Sequence, residues 1–147
     1  MNKKHLVVVS TAFFVVLLDQ LTKLAIRKNF QLNESIPIIK NIIHFTYVTN
    51  TGSAFGLFKG FNWFFVIFSI IVIITISYIL TQINEREKRK IFSIGLLLAG
   101  TIGNLIDRLL YGHVIDFIDF RIWPVFNIAD SAVTISVIML ILLLWKD

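Results

Sequence analysis

GTIGNLIDRLLYGHVIDFIDFRIWPVFNIADS, residues 100–131, sets Asp107, Asp116 and Asp130, together with Asn104, Arg108 and Asn127, between two strongly apolar segments. Ionised groups at the edge of a membrane span are costly, so by default they mark a functional site. The segments on either side decide whether that edge exists. Hydrophobic residues make up 56% of the 147-residue chain and charged residues only 16%, a balance that points to a membrane protein and away from an ordinary soluble domain.

Working outward, Ile91 to Leu110 and Asn127 to Trp145 flank the stretch as apolar runs. Gly60 to Asn84 carries no charge and exceeds the roughly 20 residues a bilayer needs. Lys3 and Lys4 precede an apolar run that resembles a secretory signal. The pattern continues past Asp19 to Ile26 without a small-residue cleavage site, so it reads as a retained span. Residues 1–147 are therefore expected to form one domain with four spans, about 6–27, 61–83, 91–110 and 127–145.

The net charge of +5 comes largely from short basic clusters beside the apolar runs. That is the pattern of topology signals and anionic-lipid contact, and it argues against nucleic acid as a partner. Four spans put both termini on one side, and the short basic loop at 86–90 makes that side cytoplasmic. With no cysteine there is no disulfide, thiol nucleophile or Cys-based metal site. His5, His44 and His113 are too scattered to suggest a metal cluster. No cofactor is expected.

Orientation gives depth. Asp19, Asp107 and Asp130 stand 15, 17 and 16 residues from Lys4, Lys90 and Lys146, about 22–25 Å along a helix. Three helices of alternating direction thus carry a carboxylate to one outer-leaflet level. In the outer segment, Ile36 and Pro37 lead into Ile42 to Val48, which is rich in β-branched and aromatic residues and predicts a short strand or hairpin. Asn50 to Ser53 breaks it as a turn. Ala54 to Phe58, with Phe61, Trp63 and Phe64 beyond, predicts an interfacial helical turn. The fold class expected is an all-α polytopic membrane protein of four transmembrane helices, with a small extracytoplasmic β platform and a short interfacial helix.

The polar residues differ in what they suggest. Asp19 and Lys23 form an i,i+4 pair in the favourable order, read as structural support in preference to chemistry. Gly95, Ala99 and Gly103 give the third span a small-residue face for close helix approach. Arg108 offers a planar fork suited to a carbonyl or a lipid headgroup. Asp119 reads as a rim charge. Asn127 and Asp130 read as an N-cap and a first-turn acid, which leaves Asp116 in its apolar context unexplained. Asp116 and Asp130 together suggest an aspartic dyad, in which one carboxyl keeps a proton and the other activates water. Two rivals are a proton- or ion-coupled carrier and a structural four-span subunit. A carrier would favour midplane acids and internal repeats, and neither is visible.

Taken together, DQLTK at 19–23, NTGSAF at 50–55, GNLIDR at 103–108, VIDF at 114–117 and FNIAD at 126–130 resemble the lipoprotein signal peptidases, the type II signal peptidases of bacteria. The resemblance spans essentially the whole chain. It implies an intramembrane aspartic endopeptidase that cuts prolipoproteins before a diacylglyceryl-modified cysteine. By it, Asp116 and Asp130 are the catalytic pair. Asn50, Gly52, Asn104, Arg108 and Asn127 line the substrate site, and Asp19 with Lys23 supports it. The expected setting is the cytoplasmic membrane, with the site toward the outer leaflet, lipids around it and the enzyme acting as a monomer. Within the pair, Asp130 sits near the positive end of a helix dipole and is expected to carry most of the negative charge, leaving the proton on Asp116.

Overall fold

Each apolar run forms a helix; the first and third extend past their apolar part into flanking polar residues, whereas the second and fourth end within the expected spans. The computed structural model describes residues 3–52, 58 and 60–145. Its helices are α1 (Lys3–Asn29), α2 (Asn62–Gln82), α3 (Lys88–Tyr111) and α4 (Ile128–Leu144). The first three are long and apolar enough to cross a membrane, and α4 is a shorter apolar helix of 17 residues. The helical turn expected at Ala54–Phe58 falls almost wholly outside the described residues.

α3 is the central helix and lies against α1, α2 and α4, whereas α2 leans chiefly on α3. The inward residues of α1 are Lys4, Val8, Ala12, Asp19, Lys23 and Ile26, spaced to fall on one helical face. Phe13 and Phe14, at 60% and 66% exposed, point the other way. Such large apolar side chains outside and charges inside invert the ordinary soluble pattern and suit a hydrocarbon surround. Lys4 donates to the Thr81 and Ile83 carbonyls at 3.2 and 3.0 Å. This cation satisfies carbonyls at the C-terminal end of α2, where the helix dipole favours it.

Glycines set the helix spacing. A methyl group on Gly95 would press on the Thr11 side chain, and one on Gly103 would lie 2.7 Å from Asp19 Oδ2. Gly100, which the small-residue pattern did not include, abuts the Ala129 carbonyl and Val133 of α4. Gly100→Ala should therefore force α3 and α4 apart. An overpacking cost of about 1–3 kcal/mol is expected, read as a lower thermal midpoint in detergent.

The expected β platform is present, with one strand more than the hairpin read from the sequence. β1 (Ser35–Ile39), β2 (Ile43–Asn50) and β3 (Val114–Asp119) form an antiparallel sheet in that order. The segment carrying Asp116, which lies between the third and fourth expected spans, is thus a strand. Its side chains alternate. Ile115 and Phe117 pack with Ile26 of α1 in a buried cluster, which turns Asp116 to the opposite face. Asp119 corrects the rim-charge reading, being only 5% exposed. Burial alone would raise its pKa, but hydrogen bonds from Thr46 and from the Arg121 backbone and side chain outweigh that and hold it below the usual value. A second apolar cluster, Val8, Ile76, Leu80, Ile91 and Ile94, closes the other end of the helices.

Candidate active site

The site forms where the sheet meets the ends of α3 and α4. Gly112 ends α3 with φ 74°, and its N–H donates to the Arg108 carbonyl. This is the left-handed cap that glycine adopts without strain, and it lets the chain reverse directly into β3. In the sheet, Asn50 pairs with Val114 and Val48 with Asp116. Residues two apart share a face, so Asn50 and Asp116 are diagonal neighbours. Asn50 Nδ2 donates to Asp116 Oδ2 at 3.1 Å.

Asn127 is the junction between the two carboxyls. Its Nδ2 donates to Asp116 Oδ1 at 2.7 Å, and its Oδ1 accepts from the Asp130 backbone N–H at 2.8 Å. Asp130 Oδ2 accepts in return from the Asn127 backbone N–H at 3.3 Å, completing a capping box at the start of α4. Asn104 Nδ2 donates to Asp130 Oδ1 at 2.7 Å. The bland reading of Asn127 and Asp130 as a helix cap is thus correct, and the same cap aims Asp130. Among the described residues no hydrogen bond joins the two carboxyls directly. For Asp116, burial first and the Asp130 carboxylate second push the pKa up to about 7, against the opposing pull of Asn50, Asn127 and Lys23.

Asp19 and Asp107, which the depth estimate put at one level, converge on Lys23. Lys23 Nζ lies 2.8 Å from Asp19 and 2.9 Å from Asp107, and donates to Asn104 Oδ1 at 3.2 Å. Lys23 is 2% exposed, so its ammonium is held among the helices and does not reach outward. Each acid also holds one backbone amide: Asp19 Oδ1 takes the Ala129 N–H at 2.9 Å, and Asp107 Oδ2 takes the Ile115 N–H at 3.0 Å. Those amides adjoin Asp130 and Asp116 in sequence. The support acids therefore fix the two backbone positions that carry the other pair.

Gln20 went unassigned in the sequence reading. It donates to Asp19, to Asp107 and to the Gly103 carbonyl at 3.1, 3.0 and 3.2 Å. An amide beside an acid inside an apolar helix was the available signal. Asn50 Oδ1 accepts from the Gly52 N–H at 3.0 Å, and the Gly52 carbonyl accepts from Arg108 Nη2 at 3.2 Å. Arg108 lies over the Phe65 ring, 5.0 Å from its centre. A largely apolar cavity of about 890 Å³ opens between α2, α3 and α4, with Asp116, Asp130, Asn50, Asn104 and Arg108 at its polar end.

Buried carboxyls at the polar end of an apolar cavity between long apolar helices suit an enzyme embedded in a membrane, and comparison with known proteins gives the class. The signal peptidase (SPase) II family profile matches residues 11–146. A lipoprotein signal peptidase of Halothermothrix orenii is 45% identical over 90% of this chain and 91% of its own, and one of Moorella thermoacetica is 46% identical over 88% and 86%. A bacterial membrane enzyme solved by the in meso method at 2.3 Å resolution superposes with a TM-score of 0.91 at 40% identity, covering 95% of this chain and 88% of that one. The chain belongs to the signal peptidase II family, aspartic peptidases that remove the signal peptides of prolipoproteins.

Proposed function

We propose that Asp116 and Asp130 are the catalytic pair of this peptidase, and that it cuts diacylglyceryl-modified prolipoproteins immediately before the lipidated cysteine. The observation that carries this reading is the Asn127 side chain, which bonds Asp116 through one atom and the first turn bearing Asp130 through another. It holds two carboxyls at the end of an apolar cavity without letting them bond each other. Asp130 at the helix N-terminus is the ionised member that takes a proton from water. Asp116 holds the proton and polarises the scissile carbonyl. Site-specific vibrational labels on each carboxyl test this division, and finding the proton chiefly on Asp130 in the free enzyme would overturn it.

The same reading makes all four helices transmembrane, with residues 1–147 a single domain, both termini cytoplasmic and the sheet at the outer face of a bacterial cytoplasmic membrane. The protein acts as a monomer. Asn50, Gly52, Asn104, Arg108 and Asn127 line the substrate site, and Asp19 with Lys23 stiffens it. The lipid on the cysteine would keep the scissile bond near the outer leaflet, level with the acids. The decisive assay compares purified enzyme on a lipid-modified prolipoprotein and on the same precursor without the lipid. Cleavage before the modified cysteine is expected, with the unmodified precursor cut far more slowly. Equal cleavage of both would reject the substrate reading.

A pH profile follows from Asp116. Its native pKa near 7 lies above the ordinary 3.8, so the native state binds more protons than the unfolded state between those values. The stability contributed by this group is full below about pH 4, declines as pH rises toward 7 and is flat beyond. Activity that needs the proton on Asp116 should have kcat/KM falling about tenfold per pH unit above 7. A profile level to pH 9 would show that the proton is not required.

A further inference from the structure

We infer that Asn62 is a positioning residue for Arg108, tying the start of α2 to the guanidinium and supplying the acceptor that its Nε–H takes once substrate occupies the cavity. The inference rests on the reading of Arg108 as substrate-facing. Among the described residues, two enclosed side-chain polar atoms have no hydrogen-bond partner: Asn62 Oδ1 and Arg108 Nε. Such atoms are uncommon, and each calls for a physical account. Here one is an acceptor and the other a donor, and their residues are already joined, since Asn62 Nδ2 donates to the Arg108 carbonyl at 3.2 Å.

The surroundings explain why the second bond is open in the free enzyme. The Arg108 fork is turned toward the Gly52 carbonyl at 3.2 Å and the Asn104 carbonyl at 3.5 Å. A substrate carbonyl that competes for the terminal Nη groups frees the side chain to pivot. The edge left over is Nε–H, and Asn62 is the neighbour with an unused acceptor. α2 also lacks a side-chain cap at Phe61. Its first turn is therefore held to α3 by Asn62 and by Phe65 beneath Arg108, so the guanidinium and this end of α2 respond together to what fills the cavity.

The test is a double-mutant cycle with a spectroscopic readout. Steady-state cleavage of a diacylglyceryl-modified prolipoprotein would be measured for wild type, Asn62→Ala, Arg108→Lys and the double variant. Asn62→Ala is expected to raise KM about tenfold with kcat within twofold. In the Arg108→Lys background it should add less than twofold, because the partner edge is already gone. A full tenfold increment there would mean that Asn62 acts independently, and would overturn the inference. An unchanged KM in Arg108→Lys alone would instead remove the substrate-facing reading of Arg108. In parallel, the ¹⁵Nε–H resonance of Arg108 would be followed in Asp116→Asn enzyme loaded with the uncleaved precursor. Slowed exchange on loading is expected, retained in Asn62→Asp and lost in Asn62→Ala. The same slowing without an acceptor at position 62 would also overturn the inference.

Discussion

Asp116→Asn and Asp130→Asn should each lower kcat for a lipid-modified prolipoprotein by about 10³-fold or more, within the range of removing a general acid or base, while leaving the fold intact. Both oxygens of Asp116 accept from amides, those of Asn50 and Asn127. An asparagine there keeps one acceptor and sets an amide against a donor, at a cost of about 1–3 kcal/mol. Asp130 is in the same position between Asn104 and the Asn127 N–H. Thermal midpoints should therefore fall modestly. The double variant should be little worse than either single one, as expected for residues that act as a unit. Asp119, the other acid on β3, is bonded to Thr46 and Arg121 at the far edge of the sheet, and Asp119→Asn is the control expected to retain turnover. Full activity in either dyad variant would reject the assignment.

The largest stability effect is expected at Lys23. Lys23→Met would leave Asp19 and Asp107 as two enclosed carboxylates without their shared cation. Breaking a buried ion pair from one side costs about 3–5 kcal/mol, a large share of the stability of any domain this size. Activity should fall with it, because the two acids hold the amides of residues 115 and 129 next to the proposed catalytic pair. Neutralising all three groups, with Asp19→Asn and Asp107→Asn added to Lys23→Met, should restore much of the thermal midpoint, since the loss comes from uncompensated charge. If Lys23→Met melts within a degree or two of wild type, the network does not hold the site together.

The sequence was informative where the physics is local or where the membrane supplies a ruler. Apolar length located the helices because a span must satisfy its own backbone hydrogen bonds. Basic flanks supplied reference points from which helical rise alone put Asp19 and Asp107 at one level, now joined through Lys23. Asn127 and Asp130 were readable as a cap because a capping box involves residues three apart. The motif blocks drew Asn50, Asn104 and Arg108 into the same site.

Other features depend on partners far apart in the chain. β3 exists because β2, more than sixty residues earlier, offers an edge to pair with; VIDFID alone, with its two acids, did not read as a strand. That pairing decides which face Asp116 takes, and hence that Asn50 reaches it. Gly100 reads as one more small residue until α4 is laid against it. Gln20 and Asn62 look like ordinary polar residues until their partners on α3 are known. For residues 100–131, then, the sequence by itself determined that acids stand at the ends of long apolar segments, at one helical distance from their basic flanks, and in what family of motifs. Only the tertiary structure decided how two of them are held apart by one asparagine, because a hydrogen bond is fixed by orientation to within tenths of an ångström, and chain spacing carries no such information.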